Sequence, residues 1–423
     1  MTTAKKSGWK TVKIRDLCKI KHGFAFKGKY FADKGEYILL TPGNFSQRDG
    51  LRLKGEKEKY YTGEIPSGYL LSQGDLLVVM TDLKQDAPYL GAPGIVKQDN
   101  LLHNQRLGLV QEINTDLVDE NYLYWIFQSE EYRAQVRGSA SGATVRHTAP
   151  ERIYACSVSI PADTTTQGKL ASILSAFDDL IENNTRRIRI LEEMARLIYR
   201  EWFVYYRFPG HENVKMVDSG TELGEVPEGW GVKPIGEVIE TMGGGTPSTK
   251  TLEYWDNGNI NWYSPIDLTK SGLMFMNKSE KKITDAGLRG SSAKMFPAYS
   301  VMMSSRATIG AIAINTTPAC TNQGFITCIP NEQLSVYQIY FWLNHTMPTI
   351  LVLASGATFK EITKTNFRNL PIAIAPEEIR IKYVEDSQPI FNLIENIERT
   401  NCKLRCTRDL LLPKLVSGQI SIP

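Results

Sequence analysis

Two stretches of this chain are versions of one another: SGATVRHTAPERIYACSVSI, starting at Ser141, and SGATFKEITKTNFRNLPIAI, starting at Ser355. They lie 214 positions apart (355 − 141), about half of the 423 residues. The correspondence extends outward. GWKTVKIRDLCKIKHGFAF from Gly8 faces GWGVKPIGEVIETMGGG from Gly229, and Asn104-Gln105 faces Asn322-Gln323. Leu180-Ile181-Glu182-Asn183 follows the first copy and Leu393-Ile394-Glu395-Asn396 the second. A chain duplicated this way reads as domain, helix, domain, helix with approximate two-fold character. It presents two similar but non-identical surfaces. They suit a target that is itself roughly two-fold, and double-stranded DNA is the obvious one.

The helical segments are legible from their spacing. From Gln167 to about Arg207, apolar residues fall at Leu170, Leu174, Phe177, Ile181, Ile188, Leu191, Ala195, Ile198 and Trp202, with Asn184 filling the one gap. Steps alternating four and three predict a coiled-coil seam. A polar Asn184 at a seam position costs stability but fixes register, so the partner helix is a specific one. The plainer reading, one long core helix of an α/β domain, sits awkwardly with a length of roughly 60 Å at about 1.5 Å per residue. Ile390, Ile394, Ile397, Asn401, Leu404, Arg408, Leu411 and Leu415 repeat the spacing near the end of the chain. There Asn401 and Arg408 weaken the seam, and Pro389 is expected to interrupt the helix. Paired antiparallel, the two helices make a rod longer than one turn of B-DNA (~34–36 Å).

Each globular copy reads as α+β, with short β-branched and aromatic runs broken by Gly, Pro and Asn. In the first copy, strands are expected at Leu76–Met80 and Leu107–Val110 and a helix at Asn121–Val136. The second copy offers Val301–Met303, Phe325–Ile329 and a helix at Val336–Leu353, which Pro348 is expected to kink or end. Loops between these elements mix cations with flat side chains. KHGFAFKGKYF carries Lys27, Lys29 and Tyr30, and GGGTPSTKTLEYW carries Thr246, Ser248, Lys250 and Tyr254. Glycine lets backbone approach another surface closely, and hydroxyl and ammonium groups suit phosphate oxygens. Lys84, Gln85, Arg106, Arg146, His147, Ser305, Arg306, Thr308 and Lys360 complete the candidate DNA contacts. Among them, Arg and Gln form paired hydrogen bonds to guanine and adenine edges. Any one of these taken alone has a bland reading as a solvated loop residue.

Catalytic constellations are missing. Gly23–Tyr30 reads G-x-x-x-x-G-K-Y, with tyrosine where a P-loop needs Ser or Thr to hold magnesium. Gly243–Gly245 lacks dinucleotide-binding spacing, and no Asn-Pro-Pro-aromatic string is present for gripping a base. Glu56–Lys59 reads as a charged, solvated loop. The six cysteines are expected as unpaired thiols, with no metal site. No apolar run approaches the ~18 residues of a membrane span. The opening MTTAKKSGWK contains no apolar stretch for a signal peptide, so a cytoplasmic location is expected. A net charge of +3 rules out binding polyanions by bulk field and leaves specific binding to local clusters.

These residues carry a family likeness. The duplicated layout, LASILSAFDDLIENNTRRIRILEEMARLIYREWF (Leu170–Phe203), the GFAFKGKYF loop, GGGTPSTKTLEYW and SGAT resemble the specificity subunit of type I restriction–modification enzymes. The resemblance spans essentially the whole chain. It implies an α+β fold of two similar globular DNA target-recognition domains separated by two long antiparallel coiled-coil helices, in an internal pseudo-two-fold repeat. The expected division is 1–165 for the first domain, 166–208 for the central spacer helix, 209–376 for the second domain and 377–423 for the terminal helix. It further implies binding of a bipartite, asymmetric double-stranded DNA site, one half per domain. Two methyltransferase (M) subunits and restriction/translocase (R) subunits would be the protein partners. S-adenosylmethionine, ATP and Mg would belong to those partners and none to this chain. The helix and subunit interface would use Leu174, Phe177, Ile181, Asn184, Ile188, Leu191, Ile198, Trp202, Ile394, Ile397, Leu404 and Leu411. Two other readings compete: a coiled-coil protein scaffold without a DNA role, whose loop cations would be replaceable, and a nucleotide-binding enzyme using Gly23–Lys29.

Overall fold

A computed structural model describes residues 8–356, 360–420 and 422, so Ala357 and Thr358 of the second SGAT string lie outside the described residues. The chain forms two compact units that interleave along the sequence. One joins Met1–Glu182 to Lys403–Pro423, and the other is Asn183–Cys402. Each unit therefore owns one globular copy, part of the first long helix and part of the second.

The duplication is one of topology. In the first unit Trp9–Lys13 pairs antiparallel with Ser157–Pro161, in the second Gly231–Pro234 with Pro371–Ile374. A one-turn helix follows each first strand, Ile14–Leu17 and Ile235–Val238. The chain then enters a mainly antiparallel sheet. Its order in the first unit is Lys19–His22, Leu107–Gln111, Leu76–Val79, Pro93–Ile95. In the second it is Glu240–Gly243, Phe325–Ile329, Val301–Ser304, Ile312–Asn315, with Phe275–Met276 added in parallel as a fifth strand. The inner strands are mainly apolar, Leu76-Leu77-Val78-Val79 without interruption, because both of their faces are buried. A small second sheet in each unit contains one parallel pair, Tyr37–Leu39 beside Leu101–Leu102 and Ile260–Tyr263 beside Ala319–Thr321.

Two helices depart from their expected form. The Asn121–Val136 segment is two helices, Glu120–Gln128 and Glu130–Gly138. Ser129 stands between them in an extended conformation, its hydroxyl donating to the Ile126 carbonyl and accepting from the Tyr132 amide. Val336–Leu353 keeps its expected bounds with Pro348 inside it, whereas the second long helix, Glu377–Val416, continues through Pro389, where an interruption was expected. An internal proline costs a helix ~3 kcal/mol. Around Pro389 that cost is offset by packing, since Tyr383, Phe391 and Ile394 are all fully buried in the second unit's core. The first long helix spans Thr164–Phe203 and is capped by Asp163, whose carboxylate accepts from the amides of Thr165 and Thr166.

Within each unit the two long helices run antiparallel. In the first unit Leu170 and Leu174 share a core with Leu411, Leu415 and Val416, while Asp178 meets Arg408. In the second, Asn184 Nδ2 donates to Asn401 Oδ1 at 2.9 Å, and Trp202 and Phe203 pack on Tyr383. The expected seam residues Leu174, Ile181, Asn184, Ile188, Trp202, Ile394 and Ile397 are buried, and Phe177, Leu191, Ile198, Leu404 and Leu411 are half-buried.

Arg408, expected to weaken the seam, is fully paired within it. Only 2% of its side chain is exposed, and its guanidinium bonds Asp178, Asp49 and Asp409. Asp49 lies in the globular part of the first unit, so the network ties that domain to the helix pair. Burial opposes ionisation of Asp49, but Arg52, Arg408 and Arg405 outweigh it and hold the carboxyl below its ordinary range. In the second unit a carboxylate plays the anchoring part. Glu398, on the second long helix, accepts from the amides of Met274 (2.9 Å) and Phe275 (3.0 Å) at the edge of the sheet.

Removing one partner from a buried ion network is destabilising because the others keep their desolvation cost. Arg408→Met is expected to lower the stability of the first unit by about 2–3 kcal/mol, the carboxylates being partly solvated. Differential scanning calorimetry measures it, with half-buried Arg196→Met as the control. Equal melting of the two variants would remove the anchoring role.

Candidate nucleic-acid interface

The sheet strands end in loops, and in both units the same four segments converge there. In the first unit they are the Gly23 loop, the Asn104–Arg106 turn, the Thr81–Tyr89 loop and the short strand Arg146–His147. The Phe24 amide donates to the His103 carbonyl and the Gln105 amide to the Phe24 carbonyl, both at 2.9 Å. The Met80 amide donates to the Arg106 carbonyl and the Thr148 amide to the Met80 carbonyl, again at 2.9 Å. Arg146–His147 pairs with Thr81–Asp82, and Asp82 closes its loop by accepting from the Lys84 amide at 3.0 Å and the Tyr89 amide at 2.6 Å.

The second unit repeats this construction with different side chains. The Gly245 amide donates to the Thr321 carbonyl at 2.9 Å, and the Ser305 amide to the Gly324 carbonyl at 2.8 Å. The Ile362 amide donates to the Ser305 carbonyl and the Ala307 amide to the Lys360 carbonyl, both at 3.1 Å. Arg306 and Glu361 form a β-bridge where the first unit has the Thr81–His147 ribbon. Bridges Ser141–His147 and Ser355–Glu361 occupy equivalent positions, each offset by 214. Both loops also hold a non-glycine residue at positive φ, Ala87 at 47° and Ala307 at 60°. Such backbone strain gathers at binding sites.

The glycines serve the chain's own packing. A Cβ on Gly23 would overlap the Asn104 carbonyl, and one on Gly244 would overlap the carbonyls of Asn322 and Thr321. The close approach inferred from these residues is therefore made to the neighbouring turn of the same domain.

The sequence-derived candidates separate into three groups. Lys84, Gln85, Arg106 and His147 in the first unit, with Thr246, Arg306, Thr308 and Lys360 in the second, are exposed on the convergent segments. Lys27, Lys29 and Tyr30 lie on the loop leading to the small sheet, where the Lys29 ammonium sits 4.8 Å from the Tyr30 ring centroid. Ser248 and Lys250 are exposed on the corresponding loop of the second unit. The remainder serve the fold. The Arg146 guanidinium donates to the carbonyls of Gly142 (3.3 Å) and Arg137 (3.1 Å), Ser305 is buried, and the Tyr254 ring packs over Gly290 while its backbone lies against Gly287. Lys364 was not singled out from the sequence, yet its ammonium lies over Gly243 at the same rim. Gly23–Tyr30 ends in a single 3-10 turn at Gly28–Tyr30, without the helix a phosphate-cradling loop requires. Among the described residues there is no cluster of three metal-ligating side chains and no helix long and apolar enough to cross a membrane.

Comparison with known proteins shows the family. The model of the type I restriction modification DNA specificity domain matches residues 6–193 and again 227–404, one match per copy. The chain belongs to the type I restriction–modification DNA specificity family. It is 26% identical over 331 residues to the MjaIX specificity subunit of Methanocaldococcus jannaschii, covering 77% of this chain and 74% of that one. Against the HindI specificity subunit of Haemophilus influenzae it is 24% identical over 372 residues, covering 74% and 80%. The crystal structure of a type I restriction–modification S subunit from M. genitalium has the same fold, with a TM-score of 0.59 at 13% identity over 98% of both chains. The family is one of DNA sequence recognition, and specificity subunits are themselves non-catalytic.

Arginines on the rim and arginines in the fold respond differently to truncation. Arg146→Ala is expected to cost the first unit about 1–2 kcal/mol through its lost carbonyl contacts. Arg106→Ala should stay within ~0.5 kcal/mol. Urea unfolding compares them, and equal losses would contradict the division.

Proposed function

We propose that this chain is the DNA-reading subunit of a methyltransferase and restriction complex, each globular domain reading one half of a split, asymmetric duplex site. The observation carrying this is the rim of four convergent segments, built twice on one backbone plan with different side chains. A duplicated rim with divergent side chains suits two readers of unlike words. Lys84, Arg106 and His147 are the proposed contacts of the first reader. Arg306, Lys360 and Thr246 are those of the second, with Lys27, Lys29, Tyr30, Ser248 and Lys250 flanking along the backbone. Cations there serve phosphate oxygens, while Arg also reaches base edges.

Bond making is assigned to partner subunits that bring S-adenosylmethionine, ATP and Mg. The long helices offer a surface for the methyltransferase subunits. Ile173 and Leu180 in the first unit, and Ile190, Met194 and Leu197 in the second, are large apolar residues exposed on the first long helix. A run of this kind on a helix whose opposite face is already packed suits a protein partner.

The test uses the full chain expressed with its methyltransferase partner, and sequencing of methylated bases reads the word. Replacing 232–376 by the equivalent domain of a relative should change one half of the word and leave the other intact. Change in both halves, or methylation without any word, would refute the reading.

A further inference from the structure

Most side chains on the two rims differ between the copies. Ala25 stands in one where Thr246 stands in the other, Arg106 where Gly324, and Arg146-His147 where Lys360-Glu361. One pair does not differ. Asn104-Gln105 and Asn322-Gln323 keep both identity and construction. Asn104 Oδ1 accepts from the Arg106 amide at 3.0 Å, and Asn322 Oδ1 accepts from the Gly324 amide at 2.9 Å. Each turn is pressed from behind by the backbone of a glycine, Gly23 or Gly244, that tolerates no side chain. The asparagine is thus spent on shaping the turn, and the glutamine that follows is exposed in both units. A rigid backbone under an outward amide is a pre-organised polar contact.

In the second unit the amide is also oriented. Thr246 Oγ1 donates to Gln323 Oε1 at 2.5 Å. An amide oxygen has two lone pairs, so one remains beside the NH2 group. Together these form the acceptor–donor pair that matches N6–H and N7 of adenine in the major groove. Ala25, at the corresponding place in the first unit, carries no hydroxyl.

We infer that Gln105 and Gln323 make the same contact in both readers, each to one adenine of its half-site, while the divergent neighbours set the rest of each word. This rests on the DNA-reading role proposed above and adds to it a residue and a base. Besides the contact proposed for it above, Thr246 positions Gln323.

The experiment uses the full chain with its methyltransferase partner and duplexes carrying the word established for the wild type. Competition binding is measured for every single-base replacement and for 7-deazaadenine, which lacks N7. Gln323→Ala should lose roughly ten- to a hundredfold of the preference for adenine at one position of one half. Preference across the other half should stay at the wild-type level, which also reports that the variant is folded. Gln105→Ala should do the converse, and Thr246→Ala should give a smaller loss at the Gln323 position. Wild-type preference at every position in both glutamine variants would overturn the inference. So would a uniform loss across both halves. A wild-type complex with no preferred word would instead sink the underlying reading.

Discussion

The antiparallel pairing of two 40-residue helices is the constraint on which the rest of the chain depends. Its register is held by polar groups. An Asn–Asn hydrogen bond holds it in the second unit, and an arginine shared among carboxylates holds it in the first. Leucine and isoleucine seams tolerate slippage by a heptad, whereas a buried amide or guanidinium displaced from its partner is stranded at a cost of several kcal/mol. Asp49 extends the lock from the helices into the first globular domain, and Glu398 does the same for the second. In the first unit one arginine serves both pairing and domain anchoring, and in the second the Asn184–Asn401 pair and Glu398 divide them.

On that frame the two domains keep one backbone plan at the rims while the side chains there differ. Main-chain hydrogen bonds set the positions of the rim segments, and these bonds recur in both units regardless of side chain. Loops positioned by their backbone leave exposed side chains such as Lys84, Arg106 and Lys360 free to vary, although Arg146, Asp82 and the two asparagines are engaged by the fold. Lys360 and Glu361 can therefore stand where Arg146 and His147 stand without altering the bridge that holds them.

Much of this architecture is legible in the sequence because its signals are periodic. Alternating steps of four and three mark the seams from Leu170 to Trp202, and a 214-residue offset marks the repeat. What escapes sequence reading depends on contacts between distant positions. Pro348 and Pro389 lie inside helices because tertiary packing outweighs their local cost. Arg408 looks like a flaw in the seam until Asp49, 359 positions away, is beside it. Arg146 and Tyr254 carry the chemistry of DNA contacts, but carbonyls and glycines of the fold engage them first. The matched glutamines were visible as a repeated pair, and their common exposure and support were not.

Inserting one matched heptad into both long helices tests the account most directly. Seven residues add about 10.5 Å, the length of about three base pairs of duplex. If the paired helices space two independent readers, the methylated word should keep both halves and widen its unread gap by about three positions. An unchanged gap, with both halves still recognised, would contradict it.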